Sequence, residues 1–158
     1  MKQTAQTMDH LTKTLSFLIF KMQDGLFALN VSSVLEVLED QHVAKVPNTP
    51  EHIRGVINFR GDILPIIDLR EILHLSASES SEVVIVLEIE TGHHGLRIGA
   101  VADGVIGVVL IPELSIESAI DLNFDFSKEY VDGIFKHESS FVTILDVNKV
   151  FALENIVI

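Results

Sequence analysis

An all-β fold of two similar five-stranded β-barrel lobes, packed together and carrying short helices, is predicted by three features of this sequence. Short apolar runs rich in β-formers alternate with turn residues along most of its 158 residues. Residues 55–73 align without gaps to residues 133–151, an offset of 78 (133 minus 55), and Gly55, Ile66 and Asp68 recur as Gly133, Ile144 and Asp146. A weaker repeat relates residues 26–37 to 97–108 at an offset of 71 (105 minus 34). Five short strands curl most readily into a small barrel, because closure removes exposed edges.

In chain order, residues 1–14 are predicted to be a flexible polar tail. Residues 15–158 form a single domain of two lobes: one about 15–80 plus returning segments, the other about 81–158. FLIFKM, LFALNV and VLEVLE read as strands, with Gly25 supplying the positive φ of the first hairpin turn. PNTP (47–50) interrupts regular structure. GVIN and DILPII form a second hairpin around Phe59, Arg60 and Gly61, with Pro65 marking its second strand as an edge or a bulge. Asp68 is a predicted N-cap for the short helix LREILHL, and Glu71 completes a capping-box pattern. Residues 76–82 are a polar linker. VVIVLEIE turns back into LRIGAV through Gly92, His93, His94 and Gly95. Residues 112–128 read as an acidic loop, and Asp146 repeats the N-cap of Asp68 before the last helix.

Composition narrows the function. Apolar residues make up 47% of the chain, enough for a real core rather than a disordered tail. A formal charge of -12 argues against nucleic acid and against an anionic membrane surface. The absence of cysteine excludes disulfides and thiolate chemistry. The apolar run at 17–20 is too short for a signal-peptide core and no run is long enough to span a bilayer, so a cytoplasmic location without membrane insertion is expected.

Catalysis finds no foothold. None of the seven histidines has the helical i, i+4 spacing of a zinc protease site, and His93 and His94 fall at a hairpin tip. Asp68 and Asp146 stand at equivalent helix starts, which favours capping over acid–base pairing. No nucleophile elbow, Walker motif or dinucleotide fingerprint occurs. No enzyme activity, cofactor or metal is expected.

Two features remain. Asn58, Phe59, Arg60 and Gly61 lie at a hairpin tip. They form either a plain turn with a solubilising arginine, or a rigid mount that shows a guanidinium to a partner's carboxylate or carbonyls. Val34, Glu36 and Val37 match Val105, Gly107 and Val108 in the repeat. They are either interior or one apolar seam that accepts a partner's helix.

In order along the chain, FLIF, FAL, VLEV, VPNTP, IRGVINFRG, ILPIIDLR, VVIVL, VADGV, YVDG and ILDV resemble the CheW family of chemotaxis adaptors. The resemblance implies two SH3-like barrels, no catalysis, a chemoreceptor tip helix in the groove between the lobes, and contact with the regulatory domain of the histidine kinase CheA. It assigns the coupling role to Glu36, Asn58, Arg60 and Gly61, and the receptor groove to Val31, Val34, Val83, Gly99, Val105 and Val108. Phe59 departs from the family's usual Leu, and KHESS (136–140) is an unusual second-lobe turn. From the length, no receiver domain is expected to follow, unlike the CheV arrangement. The departures leave room for a CheW-like scaffold of a type IV pilus, biofilm or second-messenger pathway. A small-ligand-binding β protein is the reading of another class, and a structural domain that has lost kinase contact is a third.

Overall fold

The computed structural model describes residues 13–76, 82–91, 94–118 and 128–152. Residues 1–12 of the predicted N-terminal tail, the centre of the 76–82 linker, the turn at 92–93, the bulk of the acidic loop and the residues after 152 lie outside them, while Thr14, assigned to the tail, already begins the first strand.

Among the described residues, ten strands form two five-stranded sheets. They are β1 (Thr14–Met22), β2 (Gly25–Asn30), β3 (Val34–Glu39), β4 (Ile53–Phe59), β5 (Asp62–Asp68), β6 (Val83–Thr91), β7 (His94–Ala102), β8 (Gly104–Pro112), β9 (Val131–His137) and β10 (Ser140–Leu145). Two one-turn helices follow β5 and β10: α1 (Leu69–Ile72) and α2 (Val147–Val150). The first sheet has the order β8-β1-β2-β10-β9 and the second β3-β6-β7-β5-β4.

The two orders are one order. The offset of 78 carries β4 and β5 onto β9 and β10, and 71 carries β2 and β3 onto β7 and β8. Phe17 pairs with Asn30 as Val84 pairs with Val101, so β1 maps onto β6 at 67 (84 minus 17). The parallel pairs coincide as well: Ile144 lies against Ala28 as Ile66 lies against Gly99. Each half of the chain therefore keeps its first two strands in one lobe and sends its last three into the other. A division near residue 80 does not follow the sheets: β6 and β7 belong with β3, β4 and β5, whereas β8, β9 and β10 return to β1 and β2.

Each sheet curls until the chain leaving its edge strand meets the opposite edge. Beyond β3, Ala44 bridges Val56 in β4; beyond β8, Glu117 bridges Ile134 in β9. This crossing explains Gly55 and Gly133. A Cβ at Gly55 would lie 2.1 Å from the Ala44 carbonyl oxygen, and one at Gly133 would lie 2.7 Å from Ile116.

Strands β1 and β6 are buried on both faces, which is why they read as unbroken apolar runs. Phe17 and Ile19 fill the first barrel with Phe135 and Val142. Val84 and Val86 fill the second with Ile57, Phe59 and Ile66. The alternate residues Leu18, Phe20 and Met22 meet Val83, Ile85 and Leu87 in the largest cluster, which joins the lobes and seats Leu69, Leu73, Val150 and Phe151.

Four local expectations change. In the first hairpin the positive φ belongs to Gln23 (56°), while Gly25 is already in β2. Strand β5 is flanked by β7 and β4 rather than being an edge. Pro65 is tolerated because the β5–β7 ladder begins only at Ile66, and the bulge in its hairpin lies on β4. The capping box is not closed, since the Asp68 N–H donates to the His52 carbonyl (2.7 Å) and leaves Glu71 no role there. The helix predicted over LREILHL stops after one turn, and His74 adopts a positive φ (58°).

Candidate protein-interaction site

The β4–β5 hairpin closes through Arg60 and Gly61, with φ of 52° and 86°. Both central residues in the left-handed region match the strand twist. Arginine is an uncommon occupant there. The turn is held by Asn58 Oδ1, which accepts the Gly61 N–H (3.1 Å). Arg60 Nη2 donates to Glu36 Oε2 (2.9 Å), and its guanidinium carbon lies 4.9 Å from the centre of the Phe59 ring. Phe59 is buried, so its ring is a fixed platform. The Arg60 side chain nevertheless remains 70% exposed. An exposed ion pair stabilises by about 1 kcal/mol at most, so these contacts orient the guanidinium more than they hold the fold. The four residues expected to act together, Glu36, Asn58, Arg60 and Gly61, do form one contiguous unit.

The equivalent hairpin in the other lobe turns through Glu138 and Ser139, also at positive φ (49° and 69°). The two hairpin tips thus share a backbone shape and carry opposite charges.

The expected groove residues separate into layers. Val31, Val34 and Val105 are half-buried against the core that joins the lobes. Val108 is exposed on β8. Val83 is buried in the core that joins the lobes and Gly99 within the second lobe, so neither is exposed; a Cβ at Gly99 would fall 2.6 Å from Ile66 and 2.7 Å from Val84.

Apart from Val108, sequence reading missed the apolar residues that face outward. β3 and β8 are the edge strands nearest this seam, and each carries a bulge at the same repeat position. Pairing skips Leu35 in β3 and Ile106 in β8. Both are exposed, and Leu110 continues the apolar stripe along β8. Ile63 and Phe141, a second repeat-equivalent pair, are 77% and 68% exposed. The signal was present, because apolar residues recur at both offsets. Repeat position alone does not say which face they occupy.

A buried ionic joint was also missed. Arg70, almost wholly buried, donates through Nε to Asp68 Oδ1 (2.9 Å), through Nη2 to Asp68 Oδ2 (3.0 Å) and through Nη1 to Asp103 Oδ1 (2.8 Å). It also pairs with Glu82 Oε2, the same oxygen that Arg54 meets. Burial alone would lower the pKa of Arg70, but the hydrogen bonds that it donates to Asp68, Glu82 and Asp103 outweigh it and hold the guanidinium above its ordinary value. Burial likewise works to raise Glu82, yet Arg54 and Arg70 keep it below the usual carboxylate range. Asp68 and Asp146 each accept N–H groups of the helix that follows, Asp68 from Arg70 and Asp146 from Asn148 and Lys149. Among the described residues, no group of three His, Cys, Asp or Glu side chains could hold a metal ion.

Comparison with known proteins agrees with this architecture. The chemotaxis protein CheW of Rhizobium meliloti is 29% identical over 137 residues, covering 85% of this chain and 86% of that protein. The CheW of Thermotoga maritima is 26% identical over 145 residues, covering 92% and 93%. The crystal structure of the scaffolding protein TtCheW from Thermoanaerobacter tengcongensis superposes with a TM-score of 0.78 at 30% identity, covering 88% of each chain. Residues 16–155 match the CheW-like domain model, and with two lobes joined at one apolar core, this chain belongs to the CheW-like domain family.

Proposed function

We propose that this chain is a non-catalytic adaptor that couples chemoreceptors, the methyl-accepting chemotaxis proteins, to the histidine kinase CheA. One observation carries the reading. A guanidinium fixed by Glu36 and Phe59, yet mostly exposed, stands on β4–β5, and its anchor Glu36 lies on the edge strand β3. Rigid charge beside exposed aliphatic surface suits protein recognition better than chemistry.

In this reading a receptor tip helix packs along the seam of β3 and β8. Val108, Ile106 and Leu35 meet it directly, and Val31, Val34 and Val105 support them from beneath. Val83 and Gly99 shape the seam from within. Glu36, Asn58, Arg60 and Gly61 couple receptor to kinase, whose regulatory domain is the second partner. The chain works in the cytoplasm and is recruited to receptor arrays; none of the described helices is long and apolar enough to cross a membrane.

The test is capture of a purified CheA regulatory domain and a receptor tip fragment by the chain, with Arg60→Glu beside the wild type. Retention of both by the wild type, and loss of kinase activation with the folded variant, is the expected result. Retention of neither would end the adaptor reading.

A further inference from the structure

The two lobes treat one equivalent place in opposite ways. In the second lobe the space beside Asp68 is filled by the chain's own cations: Arg70 grips both carboxylate oxygens, and Arg54 stands at 3.6 Å. In the first lobe Asp146 replaces Asp68, Asn148 replaces Arg70 and Asp132 replaces Arg54, all at the offset of 78. Leu15 replaces Glu82 at the offset of 67. Both guanidinium groups are gone from that place. A cavity of about 290 Å³ is found there, lined among others by Asp132, Asp146, Asn148 and Asn30 over Phe17 and Ile144.

The carboxylate in this cavity is mounted like its filled counterpart. Asp146 has φ -85° and ψ 105°, against -84° and 105° at Asp68. The N–H of Asp146 donates to the Tyr130 carbonyl as that of Asp68 donates to His52. Asp146 Oδ1 accepts the N–H groups of Asn148 (3.0 Å) and Lys149 (3.2 Å). Its Oδ2 has no hydrogen-bond partner among the described residues, whereas Asp68 Oδ2 holds Arg70 Nη2. Asp132 makes no ion pair among the described residues. The copy of this arrangement that is filled shows what it takes, a planar guanidinium bound fork to fork.

We propose that this cavity is an arginine socket, and that it receives the guanidinium of an arginine presented by a partner protein. The net charge of -12 favours a cationic visitor. The apolar floor suits the weakly hydrated face of a guanidinium better than an ammonium or a divalent cation, which hold their water more tightly. This assignment comes from the internal repeat and does not depend on which proteins the adaptor couples.

The probe is N-acetyl-arginine amide, titrated into the full ¹⁵N-labelled chain, with N-acetyl-citrulline amide as its neutral isostere. Saturable shifts confined to the amides of Ser33, Asp132, Asn148 and Lys149 are expected with arginine and not with citrulline. Asp146→Asn retains a good N-cap residue and should weaken binding about tenfold. Asn148→Arg should abolish binding by supplying the guanidinium from within, as Arg70 does. If Asp146→Asn does not fold, Asp132→Asn on an exposed strand position takes its place. The socket is overturned if arginine gives no localised shifts, if citrulline matches it, or if Asn148→Arg leaves binding intact. Localised shifts with calcium but not with arginine would overturn it too, by making the place a metal site.

Discussion

Arg70 and Asp103 tie the two lobes together through a single carboxylate. Asp103 lies between β7 of the second lobe and β8 of the first. Its Oδ1 accepts from Arg70 Nη1 (2.8 Å) and its Oδ2 accepts the Gln23 N–H of the β1–β2 turn (2.7 Å). Gln23 Oε1 in turn accepts the Ser76 N–H beyond α1 (3.1 Å). The joint is thus apolar at its centre and ionic on one side. Removing Arg70 would take from the buried Asp68 and Asp103 the guanidinium that both bind, leaving Asp68 with Arg54 at 3.6 Å. Arg70→Met should destabilise the chain by about 3–5 kcal/mol in urea unfolding. Asp103→Asn keeps one acceptor oxygen and should cost less.

Acid should loosen the same joint. The pKa of Glu82 is lowered in the folded chain, so its ion pairs contribute stability that is fully present above its ordinary value of 4.5 and is lost as the pH falls through the folded value. Arg70 is raised further from any accessible pH and stays charged. Urea midpoints should therefore fall below about pH 4.5, and Glu82→Gln should flatten that fall while lowering the plateau at neutral pH. Glu82 is 44% exposed, so solvent screening keeps the effect modest. An unchanged acid limb in Glu82→Gln would remove this residue from the account.

The Arg60–Glu36 pair predicts a separation of stability from binding. Arg60→Ala loses one exposed ion pair and one ring contact, a change of about 1 kcal/mol or less. Its thermal midpoint should move little, while capture of partners falls sharply. Exchanging the charges, Glu36→Arg with Arg60→Glu, restores the pair but not the presented cation. If the exchange restores capture in full, the pair acts only as an internal brace.

Much of this was legible in the sequence. Both repeats were visible, and so were a hairpin tip within Asn58, Phe59, Arg60 and Gly61 and the caps at Asp68 and Asp146. The lobe boundary was not, because likeness between segments does not say which strands share hydrogen bonds. The exchange of three strands between halves leaves no mark on either copy. Arg70 escaped notice because charged residues are usually exposed, and only the fold brings Asp103 and Glu82 to it. Val83 and Val108 looked alike as valines in strands. One proved buried in the joint and the other exposed on a sheet edge.

The crossing glycines make a prediction about barrel closure. A Cβ at Gly55 would meet the Ala44 carbonyl carbon at 2.8 Å as well as its oxygen, at a φ of 143° that side chains rarely adopt. The Ala44–Val56 bridge has both hydrogen bonds at 2.9 Å, so neither strand can withdraw without losing them. Gly55→Ala should destabilise by well over about 1 kcal/mol. At Gly133 the nearest atom is the Cγ2 of Ile116, a side-chain methyl, with the Glu117 carbonyl oxygen at 3.1 Å. Gly133→Ala should cost less, and hydrogen exchange should show faster opening at Glu117 and Ile134 rather than throughout the chain.

The exposed aliphatic stripe on β8 gives the most direct test of where a partner lies. Ile106, Val108 and Leu110 are 54%, 61% and 69% exposed, while their inward neighbour Val105 packs on the joint. Their side chains leave the folded state little to lose, so Val108→Ser should shift stability by about 0.5 kcal/mol or less. Val105→Ser lowers the apolar content of the joint and should destabilise more. If a receptor helix lies along β8, Val108→Ser and Ile106→Ser should weaken its binding while CheA capture persists. Loss of both partners together, with an unchanged thermal midpoint, would mean that the two share this edge.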